Sequence, residues 1–236
     1  MVKEELIQRS PVRVFMNSIH GGLAAGELGV IAAPSGIGKT SVLVQIALDK
    51  LLQNHKVIHV SFTQHNDYVL AWYEDIFDEF IRKKNLEDEQ DVKNDIVKNR
   101  VLMKFNQDGL TVDQILRSLR AMIKDGGFKA EHVIVDGYKF SANEKERITQ
   151  IKDFAKELGL SLWFSCTVKD EPFYDKKNIP MLIKEYAELF DVIIVLDPKH
   201  DHIELAVSRD RDTASPEHLA LRLDPKTLLI LEEESR

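Results

Sequence analysis

The stretch "APSGIGKT", residues 33–40, gathers two glycines, a lysine and a hydroxyl into one short turn. Gly36 and Gly38 let successive backbone N–H groups point inward around an anion. A helix that follows adds the positive end of its dipole. A lysine between Gly38 and Thr40 can reach two neighbouring phosphates, and the threonine hydroxyl can join the shell of Mg2+. The pattern G-x-x-x-x-G-K-[ST] is met from position 33, except that alanine replaces its first glycine. This chemistry is the grip of a triphosphate by Pro34, Ser35, Gly36, Ile37, Gly38, Lys39, Thr40 and Ser41. The plainer reading is a glycine turn with an incidental lysine. An apolar strand before the turn and an amphipathic helix after it favour the phosphate.

A phosphate-bound metal calls for a second acidic group. In "EHVIVDG", about 100 residues downstream, Val133, Ile134 and Val135 lead into Asp136. A carboxylate at the C-terminal edge of a parallel strand points into the crevice that the phosphate turn also borders. Asp136 is expected to hold Mg2+ through water.

These residues need a scaffold, and the rest of the chain supplies its pattern. Short β-branched or aromatic runs at 29–33, 57–62, 101–105, 132–136, 161–166 and 191–196 read as buried strands. Helical apolar spacing fills 40–53, 67–83, 111–124, 143–158 and 183–190, as in Val112, Ile115, Leu116, Leu119 and Met122. Such alternation predicts an α/β fold, a mostly parallel twisted sheet with helices on both faces. After Leu196 the period becomes two, with a turn at Asp224-Pro225, so antiparallel strands extend the sheet at its C-terminal end. The charge-dense stretch 82–100 reads as a solvated helix hairpin. Residues 1–20 form a lead-in and 21–236 one domain.

Composition narrows the classes. Of the 236 residues, 44% are apolar and 30% charged, as in an ordinary soluble protein. The formal net charge of −7 argues against a chain that coats nucleic acid. Cys166, the single cysteine, leaves no intramolecular disulfide and suits a reducing compartment. The N-terminus "MVKEELIQRS" lacks the apolar core of a signal peptide, and no run approaches the roughly 20 apolar residues that cross a bilayer. A cytoplasmic protein without membrane contact is expected.

The segment "GGLAAGELGVIAAPSGIGKTSVLVQIA", then "KVIHVSF" and "HVIVDG", resembles the RecA superfamily, in particular its KaiC, RadA and DnaB-helicase branches. The resemblance runs from about Gly21 over nearly the whole chain. It implies a RecA-like fold, ATP with Mg2+, and a ring or head-to-tail homo-oligomer. ATP over GTP rests on it alone. "AVSRDRDTASPEHLALRL" resembles the family's K-x-R motif, with Arg209 and Arg211 at the cationic positions. In the family those cations enter the neighbouring subunit's ATP site. Solvent-exposed charges neutralised by Asp210 and Asp212 are the equal alternative.

The chain departs from the family where water is activated. The family's glutamate at the end of the second strand falls on Thr63, or on Gln64 with a shift of one. Gln64 can orient water without taking its proton. His65 and Asp67 lie beyond the strand end, and the family's phosphate-sensing glutamine falls on Cys166. Binding equipment is intact and hydrolytic equipment incomplete. A slow KaiC-like ATPase with ATP at a subunit interface leads. An ATP-binding regulatory or scaffold module and a DNA recombination or helicase-type ATPase remain as alternatives. The last needs a basic loop. In residues 167–180 the lysines Lys169, Lys176 and Lys177 are cancelled by Asp170, Glu171 and Asp175, so nucleic acid is the less favoured partner.

Overall fold

The computed structural model describes residues 11–63, 65–84, 89–106, 109–169, 173–212 and 217–232. Runs of Val, Ile and aromatic residues become strands β1 (Leu28–Ala33), β2 (Val57–Ser61), β3 (Arg100–Lys104), β4 (His132–Asp136), β5 (Ser161–Thr167) and β6 (Val192–Pro198). β7 (Ile203–Asp210), β8 (Glu217–Leu223) and β9 (Ile230–Glu232) follow. Among the described residues they make one sheet of nine strands in the order β3-β2-β4-β5-β1-β6-β7-β8-β9. Pairing is parallel from β3 through β6 and antiparallel from β6 to β9, as the change of period after Leu196 predicts.

Helices cover both faces. On one lie α1 (Pro11–Ser18), α2 (Lys39–Leu52), α3 (Asn66–Lys84) and α4 (Glu89–Lys98), and on the other α5 (Val112–Arg120) and α6 (Lys145–Leu158). β1 is buried along its whole length. Ile31 and Ala33 pack into the first core, while Leu28, Val30 and Ala32 pack into the second. A strand buried on both faces reads as a continuous apolar run, as this one does. Full burial of a Leu or Ile side chain stabilises the fold by roughly 1.5–3 kcal/mol. α1 lies in the stretch set apart as a lead-in, and its Val12, Phe15 and Met16 are buried in the first core. Its polar side is tied down too, with Arg13 2.9 Å from the buried carboxylate of Asp49 on α2. Beneath β1, a Cβ on Gly29 would stand 2.6 Å from the ring of Trp163, so only glycine lets that indole lie against the strand.

Local signals set the helix ends. Thr111 and Gln114 form a reciprocal capping box at the start of α5. α6 stops at Gly159, which takes the left-handed conformation. Two helices depart from their expected form. The helix expected over 111–124 is α-helical only to Arg120 and continues as a π turn, Ala121–Asp125, where Gly126 N–H donates to Ala121 O at 2.8 Å. The helix expected over 183–190 is a 3-10 segment, Met181–Leu189, broken at Tyr186 (φ −140, ψ 22). There tertiary anchoring prevails over helical spacing, because the Tyr186 ring is buried and its hydroxyl donates to Ser141 O at 2.7 Å. The stretch 82–100 contributes the end of α3 and the whole of α4. Among the described residues, no helix is long and apolar enough to cross a membrane.

Candidate functional site

The topology places β5 between β4 and β1, with Ala33 of β1 level with Thr167 and Ser61 of β2 level with Asp136. The phosphate-type turn and Asp136 therefore emerge at the same edge of the sheet. A cleft of about 880 Å3 opens there, bordered by Gly36, Lys39, Thr40, Thr63, Trp72 and Asp136 among others.

Residues 34–38 carry the chain from β1 into α2. Gly36 has φ 82 and no atom within 4 Å of a notional Cβ, so backbone conformation alone calls for glycine there. Gly38 has φ 105, and a Cβ on it would also meet Leu223 Cδ2 at 2.6 Å. As the N-cap of α2, Gly38 supplies no side-chain cap, so the first turn of the helix meets the cleft with its orphan N–H groups and positive dipole end. Such a helix end favours an anion.

Lys39 is buried, and its ammonium donates to Ala33 O at 3.1 Å and Pro34 O at 2.7 Å. Loss of solvent lowers its pKa, while the neighbouring Cys166 and Asp136 raise it. Burial pushes the Cys166 thiol up to about 12, so Cys166 is neutral at ordinary pH and Asp136 supplies the negative charge. Asp136 is held from both sides. Its Oδ2 accepts from Thr40 Oγ1 at 2.9 Å, and its Oδ1 accepts from Ser165 Oγ at 2.6 Å. Ser165 Oγ in turn accepts from Gly137 N–H at 2.7 Å. Thr40 and Asp136 thus bring two hard oxygen donors together, a set that fits Mg2+, an ion that takes few protein ligands and keeps phosphate and water for the rest. Among the described residues no group of three His, Cys, Asp or Glu side chains could hold a metal on its own.

The other expected residues are distributed unevenly. Pro34, Ser35, Gly36, Ile37, Gly38 and Ser41 all belong to the turn or the first turn of α2. Thr63 is exposed and lies against Gly137, whose notional Cβ would be 2.6 Å from Thr63 Oγ1. Gln64 lies outside the described residues. His65 and Asp67 are exposed at the start of α3 and do not line the cleft.

Arg211 is engaged inside its own chain. Its guanidinium donates to Glu27 Oε1 at 3.0 Å, Glu27 Oε2 at 2.7 Å and Gly22 O at 2.7 Å, and also to Asp210. His20 Nδ1 sits 2.7 Å from the second oxygen of Asp210. Arg211 thereby ties the glycine-rich lead of β1 to the end of β7. Arg209, half-buried on β7, has a buried Nε with no hydrogen-bond partner. Neither arginine borders this chain's own cleft.

In the loop at 167–180, residues 170–172, with Asp170 and Glu171, lie outside the described residues. Asp175 Oδ1 accepts from the backbone N–H groups of Lys177 and Ile179, and Tyr174 bridges to Pro180. Lys169 and Phe173 border the cleft.

Three contributors escaped sequence reading. Ser165 is one polar residue in the strand "SLWFSCT", two positions after Trp163 on the same face. Gln45 is buried in α2, and its Nε2 donates to Leu228 O at 2.9 Å while its Oε1 accepts from Ile230 N–H at 2.9 Å. Leu228 itself borders the cleft from the β8–β9 turn. A polar residue at a helix position otherwise read as core was the available signal for Gln45.

A family model described as an AAA domain matches residues 9–158. Among solved structures, the ATPase domain of another protein superposes with a TM-score of 0.67 at 15% identity, covering 95% of this chain and 90% of that one. The fold is the RecA-like one that the resemblance implied. No curated protein matches the sequence.

Proposed function

Since the chain belongs to the AAA-domain family matched over residues 9–158, we propose that it is a Mg2+-dependent ATP-binding protein that hydrolyses ATP slowly. Lys39 and the uncapped first turn of α2 hold the phosphates, and Thr40 and Asp136 hold the metal. Mg2+, when bound, neutralises charge on the phosphate oxygens. The observation that carries slow hydrolysis is the lining of the cleft: among the described residues, Asp136 is its one carboxylate. Asp136 is committed to Thr40 and Ser165, and Thr63, which also borders the cleft, has a hydroxyl with no useful basicity. Electrostatic positioning survives in such a site while proton removal lags.

A KaiC-like, head-to-tail assembly with ATP at the subunit interface is part of this proposal. Arg209 is our choice for the cation reaching the next subunit, because Arg211 is held by Glu27 and Asp210 of its own chain. A regulatory module that responds to occupancy is the second reading, favoured by the same lack of a base among the described residues that line the cleft. Nucleic acid stays the less favoured partner, and the cytoplasm is the compartment that suits a lone buried Cys166.

Phosphate release measured beside sedimentation, with and without Mg-ATP, tests the reading in wild type and Lys39→Ala. Wild type should bind ATP, associate, and turn over far below the typical enzyme value of about 10 per second. Lys39→Ala should do none of these while keeping its fold. Failure of wild type to bind ATP would sink the proposal.

A further inference from the structure

Leu228 sits in the turn between β8 and β9 with φ 55, a left-handed conformation that disfavours most residues with a Cβ, Leu included. Two side chains of α2 hold it there. Ser41 Oγ donates to Leu228 O at 2.6 Å, and Gln45 Nε2 donates to the same oxygen at 2.9 Å. Both donors are 0% exposed, and the carbonyl they share belongs to a half-buried residue, so the two bonds are partly shielded from water. Gln45 also receives Ile230 N–H, which fixes the strand that follows the turn. The Leu228 side chain is half-buried. Its Cδ2 lies 3.5 Å from the notional Cβ of Gly38, and the residue borders the cleft. A strained backbone position, over-determined by hydrogen bonds from two buried side chains and facing a cleft, is the kind of strain that serves binding.

The position within the cleft identifies the ligand part involved. Asp136 and Thr63 mark the end where a terminal phosphate and its metal belong. With the terminal phosphate at that end, a chain of phosphates would run along the first turn of α2 and bring its other end beside Ser41, which also borders the cleft. Whatever continues beyond the innermost phosphate meets the residue bonded to Ser41, which is Leu228. We infer that Leu228 is an apolar wall for the nucleobase, held in place by Ser41 and Gln45. The inference rests on the reading of the cleft as a nucleotide site.

Calorimetric titration with Mg-ATP and with Mg-tripolyphosphate separates the base from the phosphates. Leu228→Gly and Leu228→Asn both tolerate the left-handed backbone, so each keeps the turn while removing the apolar face. Wild type should bind both ligands. Each variant should bind ATP about tenfold more weakly and tripolyphosphate as wild type does, as expected for loss of one apolar contact. Equal weakening toward both ligands, or undiminished ATP affinity in both variants, overturns the wall. Wild type that binds neither ligand removes the nucleotide reading and the wall together. Binding of both by wild type without discrimination by the variants removes the wall alone.

Discussion

Ser165 donates its hydroxyl proton to Asp136 Oδ1 at 2.6 Å while accepting from Gly137 N–H at 2.7 Å. A hydroxyl has one proton, so its orientation is determined from both sides, and Asp136 must act as acceptor. With Oδ1 so engaged, Oδ2 is turned to Thr40. One neighbouring strand therefore sets the aim of the carboxylate on the next.

Metal dependence should follow from that contact. Ser165→Ala leaves Asp136 Oδ1 and Gly137 N–H without this partner at a buried site. The Mg2+ concentration for half-maximal ATP binding should rise about 10–100-fold, the usual cost of losing a residue that orients a metal ligand. Ser165→Thr should restore it, and Asp136→Asn should abolish the Mg2+ effect. An unchanged Mg2+ requirement in both Ser165→Ala and Asp136→Asn would move the metal elsewhere.

Turnover should rise when a carboxylate is placed at the end of β2. Thr63 is exposed, so Thr63→Glu should change stability by no more than about 0.5 kcal/mol. General-base assistance is worth about 10²–10⁴ in rate. Thr63→Glu should raise kcat toward that range with ATP affinity little changed, and Gln64→Glu is the companion variant. Brisk wild-type hydrolysis that Asp67→Asn or His65→Ala removes would place the base further along the chain instead.

The two arginines near the end of β7 should behave differently. Arg211→Ala strips Glu27 and Asp210 of a shared, partly buried partner and should destabilise the protein by about 1–3 kcal/mol, seen as a lower urea midpoint. Arg209→Ala should leave that midpoint near wild type yet slow turnover in the Mg-ATP assembly by roughly 10³-fold, the scale of a cation supplied to a transferring phosphate. Wild-type turnover in Arg209→Ala would exclude it from the neighbour's site.

Stability should fall in mild acid. Burial pushes His59 down to about 4, with Asp136 opposing and Arg100 adding to the effect. His132 is pushed to about 3 by burial, then by Lys50 and His55. Unfolded histidine takes its proton near pH 6.5, so between pH 6.5 and 4 the unfolded chain binds protons that the folded chain refuses. Each histidine then contributes a loss of up to about 1.4 kcal/mol per pH unit as pH drops through that window. Urea midpoints measured from pH 7 to 4.5 should show the slope, and His59→Asn should reduce it without erasing the share of His132. An identical slope in His59→Asn would show that His59 is charged in the native state.

What could be read from the sequence was what neighbouring residues determine together. Residues 33–40 encode their own turn, and "VIVDG" carries its acid at the end of its strand, so both were legible without knowledge of packing. Ser165 acts across 29 positions of chain, Gln45 across 183 and 185, and Leu228 across 183 and 187. No local pattern announces such partners, since the topology alone sets β5 beside β4 and the β8–β9 turn beside α2. Tyr186 shows the same limit in reverse. Its spacing is helical, and the helix breaks where its hydroxyl bonds Ser141 in the loop between β4 and α6. Arg211 matched a motif position, yet the glycine-rich lead folds back to claim its guanidinium.

The chain has two tryptophans, and the fold treats them differently. Trp163 is sealed beneath Gly29 at 2% exposure, whereas Trp72 stands half-buried at the border of the cleft. Of the two, only Trp72 borders the cleft and can be touched by what enters it. The protein thus carries a built-in optical gauge with its own internal standard. A change in emission on adding nucleotide, absent in Trp72→Phe, would time arrival and departure at the cleft without a label on either molecule.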